Sequence, residues 1–198
     1  MSIRITSPAQ AKALGIPGIK GKAKARERRP KAPPTRPDPP ARLLALDPSS
    51  TAVGWAVFDA GKLRTLGVFR SAAENPMARI AKLATAVTKL SEAWQPNTVV
   101  LETVSGMHRH ARSMSVATCA MAQGAIWYAI HAAGFHGTRM LIPIKENAWT
   151  KGTPKAKRAD RVRLCEPIYA EFARRDGDKG LDGADAVGLG LWYLGGCR

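Results

Sequence analysis

An apolar run that ends in one acid constrains this chain more than any other stretch. Leu43-Leu44-Ala45-Leu46 leads into Asp47, the backbone turns through Pro48-Ser49-Ser50, and apolar sequence resumes from Ala52 through Gly54 and Trp55. A short continuous apolar run of this kind is what a strand covered on both faces requires. A carboxylate at the end of such a strand is expensive. Buried alone, it shifts its pKa or destabilises the fold, so it needs a cation, a cage of hydrogen-bond donors or a metal. Thr98-Val99-Val100-Leu101-Glu102 repeats the arrangement, and Leu181-Asp182-Gly183-Ala184-Asp185 adds a third acidic place.

Strands are expected over 43–47, 51–58 and 62–70, with Asp59-Ala60-Gly61 as a tight hairpin turn between the second and third. Asn75-Pro76 then has the form of a helix start, Asn as N-cap and Pro in the first turn. Ile80, Leu83, Ala84, Val87 and Leu90 follow at helical spacing, with Trp94 at the end of the stripe before Gln95-Pro96 stops it. A buried strand over 98–102, a helix over about 113–133 rich in small residues, and a fifth strand over 139–144 come next. A helix after the basic loop at 151–158 should turn Val162, Cys165, Ile168, Tyr169 and Phe172 inward, and Pro167 should kink or split it. The last helix begins at Asp182. Trp55, Trp127 and Trp192 read as core residues, and Trp149 as packing beside the basic loop. The order β-β-β-α-β-α-β-α predicts an α/β domain, a mixed five-stranded sheet flanked by helices, which is the order of the ribonuclease H-like fold.

The ends of the chain differ in character. Between Arg4 and Arg42 stand 11 basic and 2 acidic side chains and 8 of the 14 prolines. Proline at that density suits neither a helix interior nor a sheet, so residues 1–41 are expected to be a disordered basic arm ahead of a domain at 42–198. The whole chain carries a net charge of +16, which favours a polyanionic partner, nucleic acid before membrane surface. Cys119, Cys165 and Cys197 have no metal-site spacing and suggest no disulfide framework, which fits a reducing, cytoplasmic setting. The most apolar stretch, near 124–134, is too short to span a bilayer.

If the strands ending in Asp47 and Glu102 are adjacent and parallel, both carboxylates emerge at one sheet edge. Asp182 and Asp185, three apart, share one face of a helix start. Such a set of hard oxygen donors suits Mg²⁺, with Mn²⁺ as substitute, and could hold two ions for an in-line phosphodiester displacement. Each acid also has a plainer use. Asp47 could open an Asp-Pro turn, and Asp182 could serve as an N-cap with Asp185 in the favourable first turn. Glu102 has no obvious local role. Basic residues crowd the same sequence neighbourhoods: His108, Arg109, His110 and Arg112 after Glu102, and a stretch from Lys145 to Arg163 with a local net of +5. Lys145, Lys151, Lys155, Lys157 and Arg158 are the candidate phosphate contacts there.

Leu-Asp-Pro-Ser-Ser-Thr-Ala-Val-Gly-Trp at 46–55, Val-Leu-Glu-Thr-Val at 100–104, Lys-Gly-Thr-Pro-Lys at 151–155 and Asp-Gly-Ala-Asp-Ala-Val-Gly-Leu at 182–189 together resemble the RuvC family of Holliday junction resolvases. The resemblance implies a ribonuclease H-like homodimer that uses Mg²⁺ to make paired nicks in a four-way DNA junction. Asp47 matches the family's first acid, Glu102 the second, and Asp182 and Asp185 the final pair. The family also has catalytic lysines in the basic loop, a part the resemblance gives first to Lys151 and Lys157, with Lys155 and Arg158 next. The chain departs from the family at Ser49, where glycine is usual. It departs again near Ser105, where the family has an aromatic residue; Met107 and His108 are the candidates for its place. The basic arm is also unlike the compact cellular enzymes and points to a phage or mobile-element version.

Two other readings stay open at this point. Asp-x-Ser-Ser-Thr after a strand is similar to the phosphate loop of actin/Hsp70-like ATPases and sugar kinases, although that fold needs two such halves. A non-catalytic DNA-binding module with structural acids is the other.

Overall fold

The computed structural model describes residues 40–103, 113–133 and 140–196. The proposed arm at 1–41 therefore lies almost wholly outside the described residues, as do Ser105, Met107, His108, Arg109, His110 and Arg112. In chain order the elements are β1 (Arg42–Pro48), β2 (Ala52–Asp59), β3 (Lys62–Arg70), α1 (Pro76–Trp94), β4 (Thr98–Thr103), α2 (Ser113–Ala132), β5 (Met140–Lys145), α3 (Glu146–Thr150), α4 (Lys155–Cys165), α5 (Pro167–Arg175) and α6 (Asp182–Leu194).

The sheet is mixed and five-stranded, in the order β3-β2-β1-β4-β5. β1, β2 and β3 form an antiparallel meander, while β1–β4 and β4–β5 are parallel. Asp59 pairs with Lys62, so the β2–β3 turn has two central residues, Ala60 and Gly61, both at positive φ (48° and 77°). That backbone follows the right-handed twist of the flanking strands, which is why such turns close short hairpins.

Side chains alternate across the sheet and separate two cores. Leu44 and Leu46 of β1, Val99 and Leu101 of β4, Leu83, Val87 and Leu90 of α1 and Ile126 and Ile130 of α2 form one. Leu43 and Ala45 of β1, Val100 of β4, Trp149, Val162, Tyr169 and the inner face of α6 form the other. The start of α1 is as expected: the Asn75 side chain accepts from the Met77 and Ala78 amides at 2.8 and 3.2 Å.

As expected, Pro167 splits the long helix into α4 and α5 around an extended Glu166. Other details depart from the sequence reading. Cys165 is exposed and Ile168 is 42% exposed rather than inward. Among the described residues Cys119 is a free cysteine. α3 has no counterpart in the expected elements because its five residues offer too short a period to read. Trp127 is 37% exposed rather than core. α2 is apolar on nearly every side, so its sequence does not say which side meets the sheet. Among the described residues no helix is long and apolar enough to cross a membrane.

Candidate active site

The register Leu46↔Leu101 between β1 and β4 brings Asp47 beside Glu102 one step further on. Alternation puts both carboxylates on the face covered by α6, since Leu43, Ala45 and Val100 belong to that core. Two strands and one parity rule therefore set the first pair of acids.

The second pair depends on where α6 begins. Its N-cap is Leu181, at φ 56°, with no side-chain capping bond. Asp178 takes over part of that work from upstream: its Oδ2 accepts from the Ala184 amide at 2.9 Å and from the Tyr169 hydroxyl at 3.4 Å. The capping alternative for Asp182 thus fails, and its carboxylate faces the acids of the sheet. Gly54, paired with Asp47 across β1 and β2, makes this approach possible. A Cβ there would stand 1.9 Å from the Asp182 carbonyl oxygen, so the strand and the helix terminus meet backbone to backbone.

The acids converge on an ammonium. Lys155, the first residue of α4, places Nζ 2.9 Å from Asp182 Oδ1, 3.2 Å from Asp185 Oδ2 and 3.8 Å from Asp47 Oδ2. Arg158, one turn on, grips Asp185 with two prongs, Nε to Oδ1 at 2.9 Å and Nη2 to Oδ2 at 2.8 Å. Arg70 Nη2 lies 3.4 Å from Asp182 Oδ2. Glu102 is held separately: the Trp149 indole N–H donates to its Oε2 at 2.7 Å, and the Arg158 guanidinium carbon sits 5.0 Å from the centre of the same indole.

Electrostatically the site is short of positive charge. Burial above all, then the charges of Glu102 and Asp185, push the Asp47 carboxyl well above its ordinary range. Burial likewise lifts Glu102 to about 7, against the Trp149 hydrogen bond and with help from Asp185. Burial draws the Lys155 ammonium down, but Asp47, Asp185 and Asp182 together hold its pKa above the usual lysine value. Among the described residues no group of three or more His, Cys, Asp or Glu is already arranged to hold a metal ion. Asp47, Asp182 and Asp185 nevertheless reach one cation, and hard oxygens in need of more positive charge suit a divalent one.

The remaining expected residues are more scattered. Lys145, Lys151 and Lys157 are exposed, at the end of β5, after α3 and on α4. Among the described residues neither Lys151 nor Lys157 is ion-paired, and the lysine that reaches the acids is Lys155. Sequence reasoning missed Trp149 as the partner of Glu102, and missed Arg70 and Asp178 altogether. The signal for Asp178 is a carboxylate four residues before a helix whose own cap position is leucine.

With strand order and site in view, the backbone can be matched. The fold is that of RuvC. RuvC from T. thermophilus, in complex with a Holliday junction substrate, has a TM-score of 0.60 at 18% identity, covering 78% of this chain and 94% of that one. The same protein in a second structure gives 0.56 at 18% identity. The yeast mitochondrial Holliday junction resolvase Ydc2 gives 0.57 at 13% identity, over 80% of this chain and 81% of that one. No family model matches the chain, and no curated protein matches it in sequence. The motifs that resemble the RuvC family thus lie on the RuvC backbone: Asp47 and Glu102 at the ends of the central parallel strands, Asp182 and Asp185 at the start of α6.

Proposed function

We propose that this chain is a divalent-metal-dependent endonuclease that cuts branched DNA, four-way junctions foremost, and works as a homodimer. One observation carries the reading: three carboxylates from β1 and α6, far apart in sequence, share a single cation within 4 Å beside Glu102 at one end of the parallel strands. Asp47, Glu102, Asp182 and Asp185 would hold Mg²⁺, or Mn²⁺ in its place. Bound there, the ions supply a nucleophile at neutral pH and neutralise charge on the phosphodiester.

The side chains of the protein do the rest. Lys155 offsets the mutual repulsion of the acids and keeps them together. Lys145, Lys151 and Lys157, which are exposed, take the flanking phosphates, and His108, Arg109 and Arg112 are further DNA contacts in this reading. The arm at 1–41 adds salt-sensitive, sequence-blind affinity to the nuclease domain at 42–198. Action on DNA in the cytoplasm fits the same reading. The side of α2 that carries Ala117, Ala120, Met121, Gly124, Trp127 and Tyr128 is exposed and largely apolar, with Tyr128 72% exposed, which supports pairing with a second copy.

Cleavage of a four-way junction, a three-way flap and a linear duplex, each with Mg²⁺, with Mn²⁺ and with EDTA, tests the proposal. Metal-dependent nicks in the junction and an intact linear duplex are expected. Failure to cut any of the three in either metal would leave a DNA-binding module and sink the enzyme.

A further inference from the structure

Glu102 and Asp185 belong to different elements, a strand end and a helix, and two carboxylates facing one site repel each other. Something must hold each in place. Trp149 holds Glu102 through the 2.7 Å indole bond, Arg158 holds Asp185 through its two-pronged contact, and Trp149 and Arg158 stack on each other at 5.0 Å. The four side chains form one unbroken link from β4 through α3 and α4 to α6. We propose that Trp149 and Arg158 are positioning residues, a bracket that sets the separation of Glu102 and Asp185 and so the affinity of the site for divalent cations. The inference rests on the nuclease reading above and deepens it.

The plainer roles do not account for these contacts. A tryptophan that only filled the core would not need its N–H aimed at a carboxylate, and Trp149 is just 9% exposed. An arginine that only met phosphate would keep its guanidinium free, yet the Arg158 side chain is 12% exposed, and its Nη1 also donates to the Thr153 carbonyl. Partners that orient metal-binding carboxylates commonly change affinity about 10–100-fold when removed.

Three variants of the full chain test the bracket: W149F, which keeps an aromatic ring but not the N–H, R158K, which keeps the charge but not the fork, and the two combined. Mn²⁺ binding to the DNA-free protein is measured by calorimetry, beside the Mg²⁺ dependence of junction cleavage, junction binding in EDTA and thermal melting in EDTA. We expect each single variant to weaken Mn²⁺ binding about 10-fold or more and to raise the half-saturating Mg²⁺ in parallel. High Mg²⁺ should restore cleavage, and junction binding in EDTA should be unchanged. Because the two residues serve one link, the double variant should lose less than the product of the singles. Wild-type Mn²⁺ affinity in both single variants overturns the bracket while the nuclease reading survives. A wild-type chain that binds no Mn²⁺, with D47N behaving alike, overturns both. Should W149F fail to fold, R158K decides alone.

Discussion

The two faces of the sheet are built from the same strands and end in opposite chemistry. On one, Leu44, Leu46, Val99 and Leu101 meet α1 and α2 in a core of hydrocarbon. On the other, Leu43, Ala45 and Val100 begin an equally apolar core that runs into Asp47, Glu102, Asp182 and Asp185 at one end. A shift of one residue along β1 passes from closed packing to the charged site. The difference teaches that stability and chemistry are divided here by strand parity rather than by domain, so each face should fail in its own way when altered.

The sharpest break is on the charged face. D47N and E102Q keep the shape of each side chain and remove a negative charge from a cation site. Cleavage of a four-way junction in Mg²⁺ should fall at least about 1000-fold in each, roughly 4 kcal/mol at the transition state. Junction binding in EDTA should persist. Single-turnover cleavage with purified variants measures this, and cutting at the wild-type rate by either one would refute the site.

Next comes the contact that holds the two halves of the site together. In G54V the new side chain would begin 1.9 Å from the Asp182 carbonyl, where backbone stands on both sides and neither can yield cheaply. We expect a loss of roughly 4 kcal/mol in stability, read by urea denaturation, because α6 must lift from β2. Wild-type stability would mean that helix and strand are not in contact there.

How much of this was legible beforehand divides along the same lines. The strands, the antiparallel run of the first three and the meeting of Asp47, Asp182 and Asp185 at one place could be read because each rests on a local rule: an apolar run, a two-residue turn, an acid ending a strand, a pair three apart. Asn75 followed its rule as well. What escaped depends on contacts between distant elements. Trp149 reads as packing in sequence, and only the fold sets its indole against Glu102, 47 positions away. Lys155 was one of several basic residues in a loop, and its place among three carboxylates follows from how α4 docks on α6. Trp127 reads as core in sequence because α2 is apolar on almost every side, and composition does not choose its outward face.

The hydrocarbon face offers the contrasting test. Leu83 on α1 is 2% exposed and lies across the sheet from the acids. L83A should cost about 3 kcal/mol through lost burial and the cavity left behind. Mn²⁺ affinity and cleavage per folded molecule should not change. A large loss of metal affinity in L83A would show that the faces are coupled after all.

The smallest effect separates the faces by pH. Tyr169 is fully buried on the charged side, where burial first and then the negative charge of Asp178 raise its phenol to about 12. In the unfolded chain it ionises near pH ~10. The folded protein therefore keeps this proton over a range in which the unfolded chain releases it. The stabilisation is complete below pH ~10 and is lost as the pH climbs toward the folded value. By pH ~11.5 the loss should reach about 2 kcal/mol, and Y169F, with no proton to release, should escape that part of it. Urea midpoints for the two proteins between pH ~9 and ~11.5 give the comparison. Parallel curves would mean that the Tyr169 hydroxyl ionises as freely in the folded chain as in the unfolded one.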